Sequence, residues 1–285
     1  MKRKNIGVLC ILMSGIFFAL MSMFIKLAGD ISFIQKAFFR NSVAAVVFFF
    51  VLLKSGESFR YEKKYLPVLT LRSICGNLGL IFNFYSIDYL VLSDANMLNK
   101  LSPFAAVIFS YLFLKEKMKR YQVLGLITAF LGALLIIKPG TGFLHSSAGL
   151  IGLLGGVFAG AAYTAVRYLG THGLKGTKII FFFSAFSTVM LLPFLIFDYT
   201  PMTGIQWIYL ILCGLCATVA QFFITTAYTY APAKEISIFD YFQIIVAALL
   251  SLVVFRTTPD LYSIIGYIVI FTTSFIIWKK NNTEG

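Results

Sequence analysis

The sequence predicts an all-α integral membrane protein whose ten transmembrane helices form two inverted five-helix repeats. The first observation is composition: of 285 residues, 59% are hydrophobic and 12% charged, where a soluble domain carries about a quarter charged. The second is a set of apolar runs at 6–27, 32–53, 65–87, 91–114, 121–137, 149–169, 176–197, 205–228, 233–255 and 261–278, each close to the roughly 20 residues a helix needs to cross a bilayer. The third is self-similarity. The stretch from Ser93 to Pro139 aligns without a gap on Lys234 to Lys280 at an offset of 141, placing Ala106 on Ala247, Ser110 on Ser251, Tyr121 on Tyr262 and Gly125 on Gly266. Upstream, the same offset places Gly15 on Gly156, Lys26 on Arg167 and Phe82 on Phe223. Such a register defines two copies of one unit, 1–140 and 141–285. An odd number of spans per copy makes the second enter the membrane from the opposite side, the arrangement of secondary transporters. The first run is too long for a cleavable signal and leads into more membrane helix.

A net charge of +13 would suit a nucleic-acid partner if it were clustered on a soluble surface. It is sorted by side of the membrane instead. With the N-terminus in the cytoplasm, sixteen Lys and Arg lie in inside segments, among them Lys54, Arg60, Lys115, Lys117, Lys175 and Lys279, against Lys138 and Arg256 in outside loops. This positive-inside bias predicts a cell-membrane protein with both termini cytoplasmic, a weaker attraction to anionic membrane lipid, and no nucleic-acid partner.

Taken in order, span 1 carries Gly15, Ala19, Ser22 and Lys26 along one face, and span 6 carries Gly156, Gly160, Tyr163 and Arg167 at the matching positions. Small residues let membrane helices approach closely, so these faces are packing seams, cavity lining, or both. The basic ends, Lys26 and Arg167, are expected to snorkel to the surface. Span 2 places Arg40 about two turns deep, roughly 12 Å at 1.5 Å per residue. Span 3 places Arg72 at a similar depth from the other side, with Asn77 and Asn83 beyond it. Either these arginines cap neighbouring helix ends or reach headgroups, or they serve a substrate, the default reading for an ionisable group inside a membrane.

Span 4 holds Asn96, Asn99, Lys100 and Pro103 at i, i+3, i+4 and i+7, a polar face beside a helix-breaking proline. Under the offset its counterparts in span 9 are Ser237, Asp240 and Tyr241. If spans 4 and 9 face each other, Lys100 and Asp240 are placed to pair. That pair is either a structural tie between the halves or a binding site in which Lys100, Asn96 and Asn99 take an anionic or carboxylate group while Asp240 takes a cation or a proton. In span 5, Gly125, Ala129 and Gly132 read as a packing face. Gln221 in span 8 completes the candidate substrate-binding set of Asn96, Asn99, Lys100, Asp240, Tyr241, Ser237, Tyr163, Arg72, Asn77 and Gln221. Cys213-Gly-Leu-Cys216 has redox spacing but sits in a membrane helix, where small buried packing residues are expected. His145 and His172 stand alone in loops, so neither a metal site nor a cofactor is expected.

These residues resemble the ten-helix EamA-type members of the drug/metabolite transporter superfamily over nearly the whole chain. The resemblance rests on Ala37-Phe38-Phe39-Arg40, on Leu71-Arg72-Ser73 with Phe84-Tyr85, and on Leu101-Ser102-Pro103-Phe104 running into Leu112-Phe113-Leu114-Lys115-Glu116-Lys117; Tyr241-Phe242-Gln243, Pro259-Asp260 and Gly266 carry it in the second half. It implies a central cavity lined mainly by spans 1, 3, 4, 6, 8 and 9 and transport of small metabolites, such as amino acids, nucleosides or S-adenosylmethionine. The chain departs from the family after span 9, where Phe255-Arg256-Thr257 replaces a Phe-Gly-Glu pattern and leaves Glu116 without a symmetric partner. Lys100 stands where relatives more often carry an uncharged residue, pointing to a narrower substrate group.

The expected function is secondary active transport of a small polar metabolite, an amino acid or related carboxylate or zwitterion, with protons as the candidate coupling ion and the oligomeric state open. The alternatives are a carrier of a larger metabolite, such as S-adenosylmethionine or a nucleoside, and an accessory lipid-flipping subunit. An enzyme is disfavoured, since the sequence holds neither a P-loop nor a convergent His, Cys or carboxylate set.

Overall fold

The computed structural model of the protein describes residues 3–90, 97–140, 147–256 and 258–283, and these form helices joined by turns. The helices are α1 (Arg3–Leu27), α2 (Phe33–Lys54), α3 (Leu66–Tyr89), α4 (Ser102–Leu114), α5 (Arg120–Ile137), α6 (Ser147–Thr171), α7 (Gly176–Phe197), α8 (Gly204–Tyr230), α9 (Ala233–Ile236), α10 (Phe242–Phe255) and α11 (Leu261–Thr283). A helical turn at Met97 leads into α4, and a 3-10 segment (Ser237–Tyr241) joins α9 to α10 as one span. Among the described residues, ten segments are long and apolar enough to cross a membrane. The chain is a multi-pass membrane protein.

The helices pack across the two halves. α1 lies on α8 and α10, and α6 lies on α3 and α4. α2 packs on α7, and α5 on α11. Adding five to a span number turns each contact into another observed contact, as a two-fold exchange of the halves requires. The exchange reaches the backbone. Lys115 ends α4 at φ 56° and Arg256 ends α10 at φ 54°, each with its amide bonded to the carbonyl five residues back, at Ser110 and Ser251. A left-handed residue other than glycine is uncommon, and here it recurs at equivalent positions.

The seams form as the small residues predict. A Cβ on Gly160 would lie 2.4 Å from the Ala105 Cβ, and one on Gly266 would lie 2.6 Å from the Gly132 carbonyl. Backbones thus touch where α6 meets α4 and where α11 meets α5. The exchange is not exact in tightness: α4 contributes six buried residues, while α10 contributes none.

Both ends of the bundle are tied between halves. On the face that carries the two termini, Lys4 donates to the Asn281 carbonyl and the Tyr121 hydroxyl donates to the Asn281 side chain at 2.8 Å. On the opposite face, Lys138 pairs with Asp260. The Asp260 carboxyl is held down to about 2, first by the Lys138 ammonium and then by the Ser263 hydroxyl and amide. A depressed carboxylate stabilises the folded state fully above its ordinary value of 3.8 and loses that contribution as pH falls through about 2. Carboxyl-resolved NMR of labelled aspartate is expected to show Asp260 titrating near 2 in the wild type and moving back up in Lys138→Ala. An unchanged midpoint would remove Lys138 as the cause.

Candidate functional site

The centre of the bundle holds two polar clusters. In the first, Lys100 Nζ donates to Asp240 Oδ2 at 3.0 Å and to Gln243 Oε1 at 2.8 Å, and lies 3.4 Å from the Asp240 carbonyl. Both charged residues are 8% exposed. Local chain geometry sets this up. Pro103 sits in the first turn of α4, so the chain tightens into a turn at Lys100 and Leu101, and the Lys100 carbonyl accepts from the Tyr241 hydroxyl at 3.0 Å. Across the interface the 3-10 segment turns Ser237, Asp240 and Tyr241 into the core, where all three are buried. The Ser237 hydroxyl is 3.4 Å from the Tyr228 hydroxyl, and the Tyr228 ring stacks on Tyr163 with centroids 4.9 Å apart.

The second cluster joins α2, α3, α7 and α8. Arg40, Asn41, Ala44, Phe183, Ser184, Ala217 and Gln221 line a narrow cleft too tight for water in this conformation. Arg72, 3% exposed, lays its guanidinium over the Phe183 ring at 3.6 Å. Its Nε and Nη1, the Arg40 Nε, the Ser73 and Ser184 hydroxyls and both side-chain polar atoms of Asn77 are buried without a hydrogen-bond partner. Gln221 donates to the Thr225 hydroxyl at 3.2 Å. Tyr163 joins the first cluster through its stack on Tyr228.

The sequence-predicted residues therefore gather as follows. Lys100, Asp240, Ser237, Tyr241 and Tyr163 form the first cluster; Arg72, Asn77 and Gln221 belong to the second. Asn99 is half-buried beside Lys100, and Asn96 lies outside the described residues, as does His145. Three expectations are corrected. Span 4 is not one straight helix with a continuous polar stripe, because the chain turns at Lys100 and Leu101. Among the described residues, neither Arg40 nor Arg72 bonds a helix-end carbonyl, and the Arg40 Nε and the Arg72 Nε and Nη1 are without partners. Arg167 does not snorkel: its Nε donates to Glu116 Oε1 at 3.0 Å and its Nη1 to the Thr229 carbonyl at 3.0 Å, while Ser110 donates to Glu116 Oε2 at 2.5 Å. Sequence reasoning missed Gln243 as a Lys100 partner, although it follows Asp240 by three residues and so shares its helical face. It also passed over Ser184, and it weighed Arg40 as a deep charge without placing it in the candidate set.

A ten-span bundle with charged groups buried between two related halves defines a membrane transporter. The sequence profile of the EamA-like transporter family matches residues 5–138 and again residues 146–279. The chain belongs to that family, and its two matched segments stand at the internal offset of 141. It is similar to the pseudopaline exporter CntI of Pseudomonas aeruginosa, 29% identical over 266 residues and 93% of each chain. An uncharacterized transporter of Helicobacter pylori is 29% identical over 281 residues, covering 95% of this chain and 94% of the relative. Human solute carrier family 35 member G1 is 24% identical over 284 residues, 95% of this chain and 78% of the relative. One crystal structure superposes with a TM-score of 0.82 over 94% of both chains at 16% identity, which shows the shared fold.

Proposed function

We propose that the protein is a secondary active transporter that moves a small polar metabolite, an amino acid or related carboxylate, across the cytoplasmic membrane by alternating access. The halves 1–140 and 141–285 are the units that rock, and both termini lie in the cytoplasm. The observation that carries this reading is the Lys100–Asp240 pair, which bridges the halves in the buried interior of the bundle. Charges held at the interface of inverted repeats mark the region that a carrier exposes alternately to either side. The exporters of pseudopaline among the relatives favour outward movement. Asp240 is the group we assign to proton coupling, since uptake of a proton would release Lys100 from its partner.

Purified protein in proteoliposomes preloaded with a mixture of unlabelled amino acids, carboxylates and nucleosides tests this. Saturable counterflow of at least one labelled solute is expected, and raising the pH on one side should change its initial rate. Absence of counterflow for every solute, in vesicles where a control carrier is active, would refute the carrier reading.

A further inference from the structure

We infer that Arg40 and Arg72 form the docking point for a dianionic solute, a dicarboxylate or a molecule of equal negative charge. The inference deepens the carrier reading and rests on it. The central site is not electrically balanced by its own residues. Lys100 is fully committed, neutralised by Asp240 and bonded to Gln243, so it has no spare capacity for an anion. Arg40 and Arg72 have no such counter-charge: among the described residues, the ion pairs involve neither of them. The two guanidinium groups are joined through Phe183, whose ring the Arg72 guanidinium covers and which lines the same cleft as Arg40.

The donors that remain unbonded fit a carboxylate. Phe183 covers the face of the Arg72 guanidinium, which fixes its plane, and Nε and Nη1 are left as two separate unbonded donors. Each can donate a charge-assisted hydrogen bond to a carboxylate oxygen. Arg40 contributes a second Nε, and Ser184 a hydroxyl on the cleft that Arg40 lines. A buried charge is costly unless it is paired and hydrogen-bonded. A zwitterionic amino acid would leave both positive charges uncompensated, whereas a dianion cancels them and uses the free donors. The cleft is closed to water here, so the solute enters as the halves part.

The test is thermal denaturation of the detergent-purified full chain with succinate, glutarate, alanine or choline, paired with counterflow of the same solutes. Succinate or glutarate should raise the wild-type Tm by about 3 °C or more at saturation, with no shift from alanine or choline. Arg40→Gln and Arg72→Gln should lose that shift. Gln221→Glu, which puts a carboxylate on the cleft beside Arg40, should raise the Tm of the ligand-free protein and abolish the succinate response. If the arginine variants do not fold, Gln221→Glu decides alone. Dicarboxylates that leave the wild type unmoved, equal shifts in wild type and variants, or a lowered Tm in Gln221→Glu would each overturn the inference. Counterflow of alanine without succinate sinks this inference and spares the carrier reading; counterflow of nothing sinks both.

Discussion

Lys100→Ala and Asp240→Asn are each expected to abolish solute flux and to lower stability by roughly 3–5 kcal/mol, because removing one member of a buried pair strands the other without its counter-charge. The double replacement Lys100→Met/Asp240→Leu is expected to recover most of that stability and none of the flux. The contrast separates two roles that a single variant confounds. Desolvation offsets much of the attraction inside a buried pair, so apolar replacement of both partners is close to neutral for folding. A pair kept only as a tie between the halves would let the double variant transport. Detergent melts read the first quantity, and initial rates in proteoliposomes the second. Flux in the double variant at more than about a tenth of wild type would end the functional assignment of the pair; a tenfold loss corresponds to about 1.4 kcal/mol in the barrier.

Gly160→Ala has the second largest expected effect. The new methyl group would lie 2.4 Å from the Ala105 Cβ and 2.6 Å from the Ala106 amide nitrogen. The backbone of α4 cannot step aside as a flexible side chain would. Overpacking of this kind costs about 1–3 kcal/mol, and it pushes α4, with Lys100 at its head, away from α6. The position equivalent to Gly160 is Ala19, which already carries the methyl group; one turn away on that same face of α1, Gly15→Ala meets nothing nearer than the Gln243 amide at 3.3 Å and should cost under about 1 kcal/mol. Thermal melts of the two variants side by side check this. Equal losses would mean that the α4–α6 and α1–α10 seams are alike, contrary to the burial difference between α4 and α10.

What the sequence revealed was whatever repeats or runs. Apolar length set the ten spans, and the offset of 141 paired Asn99 with Asp240 and so brought Lys100 and Asp240 into one frame. The 3-10 segment was not legible. Pro103 announces the distortion in the first half, but its counterpart is Ile244, an ordinary helix residue, so the second turn at Ser237–Tyr241 arises from packing. The Glu116–Arg167 bond was hidden for a different reason. Its members are 51 residues apart, and an arginine near a helix end has a cheap exit to water, so nothing local marked it as inward-facing. Arg40 was visible as a deep charge, yet only coordinates could show that no carboxylate answers it.

The Glu116–Arg167 bond also bears on the energetics of the cycle. Two identical inverted halves would make the two open orientations degenerate, since a two-fold rotation converts one into the other. This chain lifts the degeneracy at one gate. Near the termini, Arg167 meets a carboxylate and a carbonyl; at the rotated position Lys26 lies 4.2 Å from the Phe255 ring centroid, and the residue corresponding to Glu116 is Thr257. Hydrogen bonds to charged groups contribute about 1.5–3 kcal/mol, against about 0.5–1 for an exposed cation over a ring. The bundle is therefore held more tightly at this pair than at its rotated counterpart, by about 1–2 kcal/mol. In the alternating-access cycle we propose, such an imbalance acts as a rectifier: one reorientation runs downhill, and the solute or the coupling ion drives the other.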